Sequence, residues 1–295
     1  MSTTTAVREG RASAARFDPL YLLLVPGALI VLALFVYPFV FGTALSFRPL
    51  EGDAFANYRR FFSDPRLYRT ISTTLRISLP ATLINIGLAL PIAYRLRVPR
   101  PGRKLLTTIL VVPITLGTVL VADGLLSYLG PQGWFNRALL GLHLISHPVA
   151  LTHNYWGVLM SLVVTGFPFA FLLLLSFISG IDPALGNAAS TLGASPSAQF
   201  WRITMPLVAP GLAMTFCLVF VQAFSVFPSA VLLGAPAGPT RVISIAAYEA
   251  AFEQYDYPLA SAIAIIMGLV ELVIVVAVLG LRGALYRGPA SGGKG

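Results

Sequence analysis

Residues 182–206 read DPALGNAASTLGASPSAQFWRITMP, a small-residue stretch punctuated by proline and set between two long apolar runs. Asp182 before Pro183 and Ser195 before Pro196 each place a side-chain acceptor at the start of a helix. The proline that follows lacks an N–H, which is no loss in the first helical turn. Gly193 falls between the two starts, where a helix ending near Leu192 needs a residue that tolerates positive φ. The stretch predicts helix, turn, helix, exposed at a membrane surface.

The rest of the chain supplies that membrane. Apolar residues make up 57% of the 295, charged residues 11%, and mean hydropathy is +0.82. A soluble domain carries about 25% charged residues, so this chain has too few to cover a water-facing surface. Six apolar runs are long enough to cross a bilayer, roughly 20–47, 70–95, 105–129, 154–179, 206–233 and 257–282. A shorter apolar piece near Leu139–Ile145 is expected at the interface. The first run is too long for a signal-peptide core and lacks a prompt A-x-A-like site, so it is expected to stay attached. The predicted fold is all-α and polytopic, with a cytoplasmic tail 1–19, a membrane domain 20–285 and a cytoplasmic tail 286–295.

Charge sets the expected orientation. The formal net charge is +9, and its distribution points to topology rather than to nucleic acid. Arg8, Arg11 and Arg16 precede the first run; Arg95, Arg97, Arg100, Arg103 and Lys104 crowd the second connection; Arg282, Arg287 and Lys294 follow the last run. With six spans these regions share one side, which positive charge marks as cytoplasmic, with both termini inside. The connection from Arg48 to Arg69 dissents with five arginines, while the other two outer loops carry only Arg137 and Arg241.

Several chemistries lack their residues. Cys217 is the only cysteine, so no disulfide within the chain and no cysteine metal site is available. No phosphate-binding G-x-x-x-x-G-K-[ST], G-x-S-x-G or H-E-x-x-H pattern occurs. His143, His147 and His153 are near one another in sequence, but Pro148 interrupts the helix that would align them on a metal. No enzyme, metal or cofactor is expected.

The opening stretch resembles the cytoplasmic loop of permease subunits of bacterial ATP-binding-cassette importers, patterned Glu-Ala-Ala, three residues, Gly, nine residues, Ile-x-Leu-Pro. Asn187, Ala188, Ala189, Gly193, Ile203, Met205 and Pro206 keep every spacing, with Asn187 in place of Glu and Met205 in place of Leu. Asn57-Tyr58-x-x-Phe61 and Gly87-x-x-x-Pro91-x-x-Tyr94 look like further parts of such permeases. Asp182-Pro183 and Ala194-Ser195-Pro196 are most similar to the spermidine/putrescine-type group, while iron(III), aminoethylphosphonate and sugar permeases share many of these features. The resemblance implies a coupling loop seated on an ATP-binding subunit dimer, a second permease subunit, a periplasmic substrate-binding protein and ATP hydrolysis outside this chain. It further implies close backbone approach at Ala188, Ala189 and Gly193, an apolar footing from Phe200, Trp201 and Ile203, and an edge contact from Arg202.

Polar residues inside apolar spans are costly and so are candidates for the pathway. Asp123 either pairs with Arg76 or faces the pathway; Glu271 either packs on a partner permease or lines the pathway. Gln222, Ser225 and Pro228 in span five, with Thr165 and Pro168 in span four, are either lining groups or helix kinks. Glu249, Glu253 and Asp256, interleaved with Tyr248, Phe252, Tyr255 and Tyr257, suit either an organic cation or an interfacial aromatic belt. A gradient-driven secondary transporter is the rival class, although no internal repeat supports it.

Overall fold

The computed structural model describes residues 24–98 and 101–285. Tails 1–19 and 286–295, the start of the first run, Arg100, Arg287 and Lys294 lie outside the described residues. Every regular element among the described residues is helical. Among the described residues, six helices are long and apolar enough to cross a membrane.

Helix α1 (Val25–Ser46) contains one wide turn, Leu32–Val36, in which the Tyr37 N–H reaches back five residues to the Leu32 carbonyl. Pro38 follows directly. A proline ring clashes with the carbonyl four residues behind it, and the wide turn gives it room. Short α2 (Ala56–Ser63) is tied to the end of α1, with Asn57 Nδ2 donating to the Ser46 carbonyl at 3.0 Å and the Ser46 and Tyr58 hydroxyls 2.7 Å apart. Helix α3 (Pro65–Leu96) is capped by Asp64, which accepts from the Arg66 N–H at 2.8 Å. Its 32 residues extend about 48 Å, well beyond a hydrocarbon core of about 30 Å.

Helix α4 (Arg103–Leu129) is interrupted at Gly117, whose φ of 73° and ψ of 161° are not helical. Short α5 (Trp134–Gly141) follows, its eight residues too few to span, and it overlaps the apolar piece Leu139–Ile145 only at its last three residues. Helix α6 (Tyr155–Ser179), capped by Asn154, is the most deeply buried of the six. Then come α7 (Pro183–Thr191) and α8 (Pro196–Phe224), short α9 (Pro228–Leu232) and α10 (Ile243–Tyr248), a wide turn Glu249–Glu253, and α11 (Tyr257–Leu285).

One sequence expectation is corrected here. The fifth span does not run from 206 to 233: its helix starts at Pro196 and ends at Phe224. Pro228 removes a donor and biases Phe227 away from helical geometry, so the chain restarts as α9 instead of kinking.

The centre is formed by α3, α6 and α8, with α11 against α8, α10 against α11 and α3, and α1 outermost on α11. Small residues permit the close approach: Ala89, Ala93 and Ala170 are fully buried beside Phe171 and Leu174. At Gly166 a Cβ would lie 2.4 Å from Asn85 Nδ2, which donates to the Leu162 carbonyl at 3.1 Å. Asn85 is fully buried and has nowhere to retreat. A Gly166→Ala subunit is therefore expected to lose about 1–3 kcal/mol to overpacking, read as a lower unfolding temperature in detergent; an unchanged midpoint would show that α3 and α6 can separate freely.

Candidate functional site

Residues 182–206 fold as a braced helix-turn-helix. Asp182 accepts from the Ala184 N–H at 2.8 Å, and Ser195 Oγ from the Ala198 N–H at 3.3 Å. Gly193 sits at φ 81°. Its N–H bonds the Ser190 carbonyl and the Ala194 N–H the Ala189 carbonyl, both at 3.0 Å, which is the paired closure of a helix ending in a left-handed residue. Gln199 Nε2 then clamps the second arm to the first, donating to Ser190 Oγ and to the Ala194 carbonyl, each at 2.9 Å.

A wide turn, Phe200–Thr204, lies within the first part of α8 and again precedes a proline, Pro206. It decides which side chains face out. Phe200 turns inward to meet the Tyr94 ring edge-on, 4.8 Å between centroids. The Arg97 guanidinium lies 4.1 Å from that ring, so the end of α3 and the start of α8 form one contact chain. Ile203 is half-buried and lines a cleft of about 290 Å³ with Arg97, Asp182, Asn187 and Gln199. Trp201 stays 61% exposed, and Asn187, Ala188, Gly193, Arg202 and Pro206 are exposed too, with Ala189 half-buried. The three apolar residues expected to share one footing are thus divided, with Trp201 outside and Phe200 and Ile203 facing in. Leu192 joins Trp201 instead, 88% exposed. Sequence reasoning passed over Leu192 because it falls in the unspecified gap of the pattern, although an apolar residue directly before a helix-ending glycine was a visible signal.

At the opposite end of the bundle, a cavity of about 780 Å³ lies between α2, the start of α3 and the segment 237–254. Arg60 Nη1 is 2.9 Å from Asp256 Oδ2, and Arg241 pairs with Glu249 while also donating to the Arg66 carbonyl at 2.8 Å. Asp256 in addition accepts from the Leu259 N–H at 3.0 Å and so caps α11. Two of the three acids considered for an organic cation are therefore engaged by arginines. Glu253 is exposed and, among the described residues, unpaired.

The intramembrane polar residues separate as well. Asp123 and Arg76 are exposed and form no ion pair with each other, so the pairing considered for them is absent. Thr165 and Pro168 are buried inside the bundle, Thr165 bonding back to the Ser161 carbonyl at 2.8 Å, and neither lines an open face. Gln222 and Ser225 are exposed near the end of α8, and Ser225 Oγ donates to Glu271 Oε1 at 2.7 Å.

Comparison with known proteins places this geometry. The spermidine/putrescine transport system permease protein PotB of Escherichia coli strain K12 is 34% identical over 179 residues, 60% of this chain and 65% of that protein, so the match spans just under two thirds of this relative's length. A probable sulfate transport system permease protein cysT of Prototheca wickerhamii is 28% identical over 213 residues, 72% of this chain and 82% of its own. A chain of a bacterial alginate ABC transporter, solved in complex with an alginate pentasaccharide-bound periplasmic protein, superposes with a TM-score of 0.79 at 26% identity, covering 91% of this chain and 95% of that one. Residues 85–289, from the middle of α3 through the helix-turn-helix to beyond α11, match a single family. On that match the chain belongs to the binding-protein-dependent transport system inner membrane component family.

Proposed function

We propose that the chain is the permease subunit of an ATP-driven importer, forming with a second permease subunit the pathway for a small organic cation of the polyamine class. The observation that carries the importer reading is the helix-turn-helix itself: rigid within, apolar at Leu192 and Trp201 on its free side, and joined through Phe200 and Tyr94 to α3. A rigid knob with exposed apolar tips suits a groove on a separate ATP-binding subunit. These 295 residues contain no phosphate-binding loop, so hydrolysis belongs to that partner and the chain is a transport subunit, not an enzyme.

The distribution of arginine favours the helix-turn-helix on the cytoplasmic side, with both termini there as well. The opposite end, with its 780 Å³ cavity, then faces the periplasm and receives a substrate-binding protein. In this scheme ATP-driven closure of the partner subunits draws the 182–206 segments of the two permeases together and opens the pathway outward. Hydrolysis reverses it. Alternating access follows because the two states differ in affinity for their partners.

The similarity to a spermidine/putrescine permease supports the polyamine assignment. A second reading, an anion such as sulfate, has its own observation: Arg66 and Arg69 line the outer cavity without an ion pair among the described residues, and a sulfate permease is also similar. Uptake of labelled spermidine by cells with and without the gene, with ATP synthesis intact or blocked, decides between them. Gene- and ATP-dependent uptake competed by putrescine is expected. ATP-dependent uptake of labelled sulfate with none of spermidine would replace the polyamine reading with the anion one.

A further inference from the structure

Building on the organic-cation reading, we propose that Glu271 is the membrane-embedded group that binds the cation in transit, held in place by Ser225. Glu271 lies fourteen residues into the 29-residue α11, about 21 Å along the axis at 1.5 Å per residue, near the middle of the span. A carboxylate at that depth costs several kcal/mol unless something compensates it. Among the described residues no basic side chain lies within ion-pair distance of it. Among the described residues its one hydrogen-bond partner is the Ser225 hydroxyl, on Oε1, which leaves Oε2 for a ligand. Ser225 is where α8 ends, and Gln222, one turn earlier, is exposed on the same side.

The approach to Glu271 is built for a cation. Outward from it lies a cavity of about 480 Å³ lined by Phe227, Tyr248, Phe252, Tyr257, Ser261 and Ala264. Phe227 and Tyr248, then Tyr248 and Phe252, are each 5.0 Å apart between ring centroids, making a continuous aromatic ladder. Ring faces attract ammonium groups and offer nothing to an anion. Ala264 is seven residues, two turns, from Glu271 and therefore on the same side of α11. Gly268 lies between them, and a Cβ there would meet nothing within 4 Å, so nothing crowds the helix face between the ladder and the carboxylate at that position. A polyamine passes its amines from ring face to carboxylate; a sulfate meets an uncompensated negative charge in a low-dielectric medium, where repulsion is strongest. The same face thus sorts cargo by sign.

The test uses the complete transporter, this chain with its partner permease, ATP-binding subunits and binding protein, reconstituted in proteoliposomes with labelled spermidine. Glu271→Gln, which keeps shape and removes charge, is expected to lower uptake at least tenfold while still co-purifying with its partners. Glu271→Asp is expected to recover a substantial part of the rate. Wild-type uptake by the Gln variant, equal loss in Gln and Asp, or failure of the Gln variant to assemble would each overturn the proposal, the last by making Glu271 an assembly residue. Failure of the wild-type transporter to carry spermidine shows in its own arm; it would overturn the cation reading and this proposal with it.

Discussion

A Leu192→Asp subunit is expected to insert and fold as the wild type does, and to lose ATP-driven uptake by two orders of magnitude or more. The free subunit has little to lose, because Leu192 is 88% exposed and surface substitutions away from packing features change stability by about 0.5 kcal/mol or less. The assembled transporter has much to lose. If Leu192 fills an apolar depression on the ATP-binding subunit, an aspartate there buries an uncompensated charge, at about 3–5 kcal/mol. Each 1.4 kcal/mol is about tenfold in an equilibrium, so even the lower end exceeds a hundredfold loss of docked complex. Co-purification of the ATP-binding subunit and uptake should fall together, with membrane insertion unchanged. Normal co-purification would place the docking surface elsewhere on the chain.

The second large effect is expected at Gly193, and there conformation rather than space sets the order. A Cβ at Gly193 would meet nothing within 4 Å, yet φ is 81°. Valine in the left-handed region is strained by about 1–2 kcal/mol or more, and relief of that strain breaks the two bonds that close α7 onto Ser190 and Ala189. Asparagine tolerates the region better than alanine, and both better than a β-branched residue. Uptake is therefore expected to rank Gly193 above Gly193→Asn, then Gly193→Ala, then Gly193→Val, with the last reduced tenfold or more. If asparagine and valine were equally damaging, bulk against a partner would be the cause and the strain argument would fail.

How much of this was legible follows from the range of each interaction. Asp182, Ser195 and Gly193 act within three residues of themselves, so the sequence alone located both arms and the turn of the helix-turn-helix. The six apolar runs were legible for the same reason, since hydrophobicity is a local property of the chain. The end of the fifth span was not, because a proline inside an apolar run reads equally as a kink or a restart; only the packing of α9 and α10 chose the restart at Pro228. The opposite facing of Phe200 and Trp201 depends on one wide turn whose geometry no periodicity announces. Arg60 and Asp256 are 196 residues apart, and nothing in either neighbourhood marks the other. Ser225 and Glu271, 46 apart, were each visible as odd residues in apolar runs, but not as a pair.

The break in α4 at Gly117 bears on the life of the subunit before assembly. Gly117 and the residues around it, Leu116, Val119 and Leu120, are exposed, and an interrupted helix leaves backbone groups without their internal partners. Lipid tails offer no hydrogen bonds to such groups, so irregular backbone at membrane depth is tolerated only against protein or water. A newly made chain alone in the bilayer therefore presents a fault that a neighbouring subunit would cover. Its persistence becomes a matter of stoichiometry: synthesised in excess of its partner it should be short-lived, and co-expression of the partner should raise its abundance by mass action.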